Sequence, residues 1–288
     1  MARSEQAGDS GLCQSLAQGI LDLRPARAFG TPMTLSQIAA QLYTVREFCQ
    51  TASGLAASAR KIRALGYPAV QLSGQGPISP DEIVKIMDGE GLVICATHEP
   101  SAVILDEPEK AIDTLQRLGC RLTAYPWPQG VDFGDAGSIN TLVRKLDAAG
   151  ARFRGAGLTL GYHHHDIEFV RFQGAPVLEY IFAHTAPSNV VAELDTYWVH
   201  AGGGDCVEWC RQLRGRLPFL HLKDYAMGPD RKPFFAEIGR GTLPFARIIS
   251  EAERSGCQWF IVEQDTCPHD PFDSLRISFD YLKTNLVS

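Results

Sequence analysis

The chain has 288 residues, 45% of them hydrophobic and 21% charged, which is ordinary globular composition with length enough for a large core. A net charge of −6 without a long basic run argues against a nucleic-acid footprint, because neutralising phosphates takes clustered Lys and Arg. No apolar stretch reaches transmembrane length, the first residues lack the apolar core of a signal peptide, and the eight cysteines form no C-x-x-C pair, so the expectation is a reduced, cytoplasmic protein with neither membrane span nor zinc knuckle.

Residues 1–35 mix Gly, Pro, Arg and Ser with little periodicity and read as a peripheral arm, with a short helix at 12–23. A rhythm begins at Ile38. Residues 38–43 read as a buried strand and 46–65 as a helix stopped by Gly66. Residues 69–72 form the next strand, and 80–89 a helix with Pro80 early and Gly89 at its end. Strand 92–97 delivers His98 and Glu99. A helix at 108–118, closed by Gly119, leads to strand 121–125 and the loop Pro126-Trp127-Pro128. A helix at 138–149 precedes the strand that runs from Leu158 into His163-His164-His165. Helix 175–183, strand 189–195, helix 205–213, strand 218–224, helix 245–254, strand 259–263 and helix 273–286 complete the pattern.

Short strands alternating with helices imply parallel pairing through crossovers, and eight such units in about 250 residues have the size of a single (β/α)8 barrel. The domain therefore covers residues 36–288. An open doubly wound sheet is the other arrangement, but no G-x-G-x-x-G follows the first strand.

Active sites of such barrels form at the C-terminal strand ends. Here those ends carry His98-Glu99, His163-His164-His165, Asp195, His221 with Lys223-Asp224, and Glu263 with Asp265. Strand alternation turns His163 and His165 one way and His164 the other. Two imidazoles with two carboxylates make a mixed N/O set suited to Mn²⁺, Zn²⁺, Fe²⁺ or Co²⁺. Each residue also has a plainer use. An Asp ending a strand caps helices, His221 between Leu220 and Leu222 fits a core, and the triple His suits a solvated loop. Glu263 is harder to place so, because a bare carboxylate continuing a buried run costs several kcal/mol (of order 2–7 or more). Cys267 has no designated base and is not read as a nucleophile.

The stretches Gln41-Leu42-Tyr43-Thr44-Val45-Arg46-Glu47, Gly161-Tyr162-His163-His164-His165-Asp166-Ile167-Glu168-Phe169, Leu194-Asp195-Thr196-Tyr197-Trp198, His221-Leu222-Lys223-Asp224, Ile238-Gly239-Arg240-Gly241 and Val262-Glu263-Gln264-Asp265, in this order, resemble the sugar phosphate isomerase/epimerase family of xylose isomerase-like barrels. Within it the chain is most similar to the inosose dehydratase-like and keto-sugar branch. The resemblance implies one divalent metal ion (Mn, Zn, Co, Fe or Mg) held by His163, Asp195, His221 and Glu263. Many relatives have Glu on strand five, so His163 departs from the pattern, and His165 stands as an alternative ligand. DNA-repair endonucleases share the barrel but need a further His where this chain has Trp198.

The expected function is metal-dependent isomerisation or epimerisation of a keto-sugar or related polyol through an enediolate. His165 or Glu263 would be the base and Lys223 a stabiliser of negative charge. His98, Tyr43, Trp198, Glu168 and Arg240 are candidate substrate contacts, and Glu168 and Asp224 candidate orienters of His163 and His221. Dehydration of a keto-sugar or inosose shares the first step, and a non-catalytic sugar-binding barrel is the alternative of another class. The expected partner is a small sugar or polyol, with no nucleic acid and no membrane. Barrels of this kind often pair, so a homodimer is an expectation too.

Overall fold

The structure, a computed structural model, describes residues 32–287. The helix expected at 12–23 and most of the expected arm lie outside the described residues. Among these residues, eight parallel strands close a barrel: β1 (Ile38–Gln41), β2 (Ala69–Leu72), β3 (Val93–His98), β4 (Leu122–Tyr125), β5 (Thr159–His163), β6 (Val190–Asp195), β7 (Phe219–Leu222) and β8 (Trp259–Val262). Each pairs with its neighbours in chain order, and β1 pairs with both β2 and β8 to seal the ring. The α/β reading and the (β/α)8 topology therefore hold. No helix of the described residues is long and apolar enough to cross a membrane.

The helices outside the barrel are α1 (Ala52–Leu65), α2 (Pro80–Glu90), α3 (Ser101–Asp106), α4 (Pro108–Arg117), α5 (Ala136–Gly155), α6 (Val177–Ala183), α7 (Thr196–Ala201), α8 (Cys206–Gln212), α9 (Phe245–Arg254) and α10 (Pro271–Asn285). Local chemistry sets their ends. Thr51 caps α1 by accepting from Gly54 N–H, and Gly66 ends it at φ 109°, a left-handed conformation that favours glycine. On α9, Phe245, Ile248, Ile249 and Ala252 are all buried, the i, i+3, i+4, i+7 stripe of a helix lying on a sheet. Burying each large side chain of such a stripe contributes about 1.5–3 kcal/mol. Cys206 and Cys210 lie together on the buried face of α8.

Several elements differ from the expectation. Helix α5 runs beyond 138–149 at both ends, because Asp135 caps it through Ser138 N–H and buried Phe153 prolongs its apolar face. Helices α3 and α7 are six residues each, too short to announce themselves by periodicity. The seventh strand ends at Leu222, and the chain continues into an antiparallel hairpin, Asp224–Met227 with Pro233–Ala236.

The barrel interior explains where the site lies. A separate apolar cluster, including Ala39, Ala69, Ala96, Ala124, Val191, Phe219 and Ile261, fills the axis. Small residues on one side leave room for the Phe219 ring from the other. Gly161 belongs to this layer, since a Cβ there would sit 2.5 Å from Phe219 Cζ. Two residues on along seven of these strands, the same inward face carries Gln41, Gln71, His98, His163, Glu193, His221 and Glu263.

Candidate active site

That second layer is polar, buried and densely cross-linked. His163, Asp195, His221 and Glu263, from the ends of β5, β6, β7 and β8, are all buried and bring one ligand atom each within 4.8 Å of the others. Above them opens a cavity of about 570 Å³, bordered among others by Tyr43, His98, Trp127, His165, Lys223 and Asp265.

Asp195 carries two jobs at once. Its Oδ1 accepts from Trp198 N–H at 3.1 Å and caps α7, so the helix-cap use is real. Its Oδ2 lies 3.0 Å from Lys223 Nζ and 3.8 Å from His221 Nδ1 but makes no hydrogen bond. His164, turned away from the cavity, fixes the strand that carries Asp195. Its Nδ1 faces the His165 carbonyl at 3.0 Å, and its Nε2 accepts from Asp195 N–H at 3.1 Å. Burial pushes this imidazole down to about 4, so it stays neutral.

Lys223 is enclosed, with 1% of its side chain exposed. Its Nζ lies 2.8 Å from Glu263 Oε2 and 2.8 Å from Asp265 Oδ1, besides the 3.0 Å to Asp195. Burial opposes its charge, but these carboxylates outweigh burial and hold the ammonium well above the usual lysine range. Burial likewise opposes charge on His221, and Glu193 and Glu263 overcome it, raising the imidazole to about 10. Glu263 is held well below the carboxylate range by Lys223 and His221 despite burial. Asp195 is pushed up to about 6 by burial, which Lys223 and His221 only partly offset. His163 is pushed down to about 3 by burial, and burial also lowers His165, aided by His163 and Lys223. Both therefore present neutral imidazoles at neutral pH.

Sequence reasoning missed Glu193 and Gln71. Glu193 is fully buried, and its carboxylate accepts from Gln71 Nε2 at 2.7 Å and from His98 Nε2 at 2.6 Å. Burial opposes its ionisation, but His221 and His98 hold it well below the carboxylate range. Both residues were legible in principle. Glu193 is two before Asp195, and Gln71 sits inside the run Ala69-Val70-Gln71-Leu72, where alternation puts each on the inward face.

Two overlapping groups have the composition of a cation site: His98, His163, Glu193 and His221, and His163, Asp195, His221 and Glu263. In the first, both Glu193 oxygens already accept hydrogen bonds, so the group is a closed network. In the second, Asp195 Oδ2 and His163 Nδ1 are buried without hydrogen bonds. Two nitrogens and two carboxylates fit a borderline divalent cation, and the second group has the donors to hold one.

The remaining expected residues fall into place as follows. Tyr43 and His98 border the cavity, His98 with its Nδ1 3.5 Å from Ser73 Oγ. Trp198 packs behind His165, with ring centroids 5.2 Å apart. Glu168 does not reach the cavity. It is fully buried and accepts from Tyr162 O–H and His165 N–H, because Tyr162 alternates to the outer face. Arg240 does not reach it either, and borders a groove with Arg276, Asp280 and Tyr281. The cause is Asp224, which accepts from the N–H groups of Tyr225, Gly239, Gly241 and Leu243 and so clamps that loop to the hairpin rather than orienting His221.

The family model for the xylose isomerase-like TIM barrel matches residues 59–285. No curated protein sequence matches the chain. Among solved structures, the chain is similar to a sugar phosphate isomerase/epimerase from Parabacteroides distasonis at 22% identity, over 92% of this chain and 100% of that one, with a TM-score of 0.75. It is also similar to an L-ribulose 3-epimerase at 14% identity, over 88% and 95% of the two chains, TM-score 0.69. A probable 3-DHS dehydratase from Bacillus anthracis shows 12% identity over 86% and 99%, TM-score 0.63. At these identities the likeness is one of fold.

Proposed function

This chain belongs to the xylose isomerase-like TIM-barrel family, and from that footing we propose that it is a divalent-metal-dependent isomerase or epimerase of a keto-sugar or related polyol, in the keto-sugar and inosose branch. The observation that carries the reading is the convergence of His163, Asp195, His221 and Glu263 beneath a cavity of about 570 Å³, large enough for a sugar. A divalent cation bound there supplies Lewis acidity toward a carbonyl and its neighbouring hydroxyl. The chain's own residues do the rest. His165 is neutral and borders the cavity, as does the ionised Glu263, and these two are the candidate bases for the proton next to the carbonyl. The edge of Trp127, 4.7 Å from the His165 ring centroid to centroid, and Trp198 behind it hold the imidazole in one orientation. Lys223 balances Asp195, Glu263 and Asp265, which keeps those carboxylates ionised in a buried site. Tyr43 and Trp127 give apolar faces at the rim for sugar C–H groups.

A lyase that dehydrates a keto-sugar is the second reading. Glu263 is engaged by both Lys223 and His221, whereas His165 borders the cavity without an ion-pair partner among the described residues. One free base on one face suits proton removal followed by loss of a β-hydroxyl.

The test is solvent-proton exchange in deuterium oxide, followed by NMR over a panel of keto-sugars and inososes. The protein is stripped of metal and then reloaded with Mn²⁺, Zn²⁺ or Co²⁺. Exchange that needs metal is the expected result, and the product distinguishes isomerase from lyase. Substrate binding without metal dependence and without exchange, in protein shown to hold metal, would sink the proposal in favour of a binding barrel.

A further inference from the structure

The residues that decide how His221 presents itself lie one layer below the cavity, and neither borders it. We propose that Glu193 and Gln71 form a positioning relay that fixes the tautomer of His221 and aims its Nδ1 lone pair at the cation site. The relay rests on the reading of His163, Asp195, His221 and Glu263 as the cation ligands.

The chain of constraints starts at Glu193, a fully buried carboxylate that only accepts hydrogen bonds. Its Oε1 lies 2.7 Å from Gln71 Nε2. An amide has nearly the same shape when flipped, but a flipped Gln71 would set oxygen against oxygen at that distance. Glu193 therefore decides which way the amide faces. The Gln71 oxygen is then turned to His221, 2.7 Å from Nε2. That oxygen also only accepts, so Nε2 carries the hydrogen. The opposite ring nitrogen, Nδ1, lies 2.9 Å from Glu263 Oε2 and 3.8 Å from Asp195 Oδ2. In the metal-free protein Nδ1 gives its hydrogen to Glu263; with Nε2–H committed to Gln71, Nδ1 is the nitrogen that would give up that hydrogen and turn a lone pair to a cation between those carboxylates. The register keeps the relay in place. Gln71 follows Ala69 on the inward face of β2, and Glu193 pairs in register with His163 on β5.

A merely electrostatic role for Glu193 makes a different prediction, because Gln71 carries no charge. Under that view, removing the Gln71 amide leaves cation affinity unchanged. The experiment compares the full-length protein with Gln71→Met, both stripped of metal and titrated with Co²⁺ against a chromophoric chelator. Thermal unfolding of the metal-free proteins and the visible Co²⁺ spectrum are recorded alongside. The expected result is a loss of about 10–100-fold in Co²⁺ affinity with an altered spectrum, while the metal-free variant still unfolds cooperatively. Affinity within about twofold of wild type, with the same spectrum, overturns the relay. Should Gln71→Met not fold, ¹⁵N NMR of histidine-labelled, Zn²⁺-loaded wild type decides. Hydrogen on His221 Nε2 with metal on Nδ1 supports the relay, and the reverse overturns it. A wild type that takes up neither ion overturns the ligand reading itself and the relay with it, an outcome distinct from failure of the variant alone.

Discussion

Replacing Lys223 by Met probes the charge balance at the barrel mouth. The Lys223 ammonium lies 3.0 Å from Asp195 Oδ2, 2.8 Å from Glu263 Oε2 and 2.8 Å from Asp265 Oδ1, with 1% of the side chain exposed. Methionine fills much of the same volume but leaves these carboxylates without their shared cation. Breaking a buried ion pair in this way costs about 3–5 kcal/mol. With about 2–4 °C of melting temperature per kcal/mol for chains near this size, the metal-free variant should melt on the order of 10 °C below wild type. A divalent cation held by His163, Asp195, His221 and Glu263 restores the missing positive charge. Metal at a hundred times its Kd stabilises a protein by about 2.7 kcal/mol. The variant should gain more than wild type at the same metal concentration, because its carboxylates no longer share themselves with an ammonium. Differential scanning calorimetry of both proteins, stripped and then loaded with Mn²⁺, measures all four values. An unchanged melting temperature in the metal-free variant would refute the charge balance. Equal metal-induced shifts in the two proteins would place the cation away from these carboxylates.

The two jobs of Asp195 separate by substitution. Asp195→Asn keeps the oxygen that caps α7 and should lower metal content with little loss of fold, whereas Asp195→Ala should abolish tight metal binding and lose about 1 kcal/mol more from the cap, read by elemental analysis and urea unfolding. Full metal content in Asp195→Ala would remove Asp195 from the ligand set. Glu168 gives a pH signature: burial pushes its carboxyl up to about 7, against the donors from His165 and Tyr162. A folded-state pKa raised above the unfolded value means the folded protein holds the extra proton. The resulting penalty is absent below about 4.5 and complete above about 7, with a ceiling of about 3 kcal/mol. Glu168→Gln should therefore match wild type near pH 4.5 and exceed it in stability at pH 8, and equal pH slopes for the two proteins would refute the assignment.

How far the chain could be read without its fold varies from residue to residue. Ile38, Val70, Ile94 and Ile261 sit in short apolar runs, and Gly66 and Gly256 stop the helices between them, so the alternation of elements was visible. Helix 245–254 was legible to the residue because its buried stripe is regular. Helix α7 was not, because six residues hold too few turns to show a period. At the candidate site, His163, Asp195, His221 and Glu263 stood out as polar residues ending apolar strands, and the fold brings their donor atoms together. Glu168 and Arg240, expected as substrate contacts, do not join them. Their exclusion depends on Tyr162 turning Glu168 outward and on Asp224 binding the loop around Arg240.

The sequence by itself determined the number, order and inward face of the strands, because these follow from local periods of two and 3.6 residues and from caps a few positions away. Only the tertiary structure decided which polar groups meet. Gln71 and His221 are 150 positions apart, and Glu193 and Gln71 are 122 apart, yet each pair stands at hydrogen-bond distance because barrel closure sets β2 across the axis from β6 and β7. Side-chain pattern along a strand fixes direction toward the axis. Which partner waits there depends on strand stagger and ring closure, which are properties of the whole barrel and of no single segment.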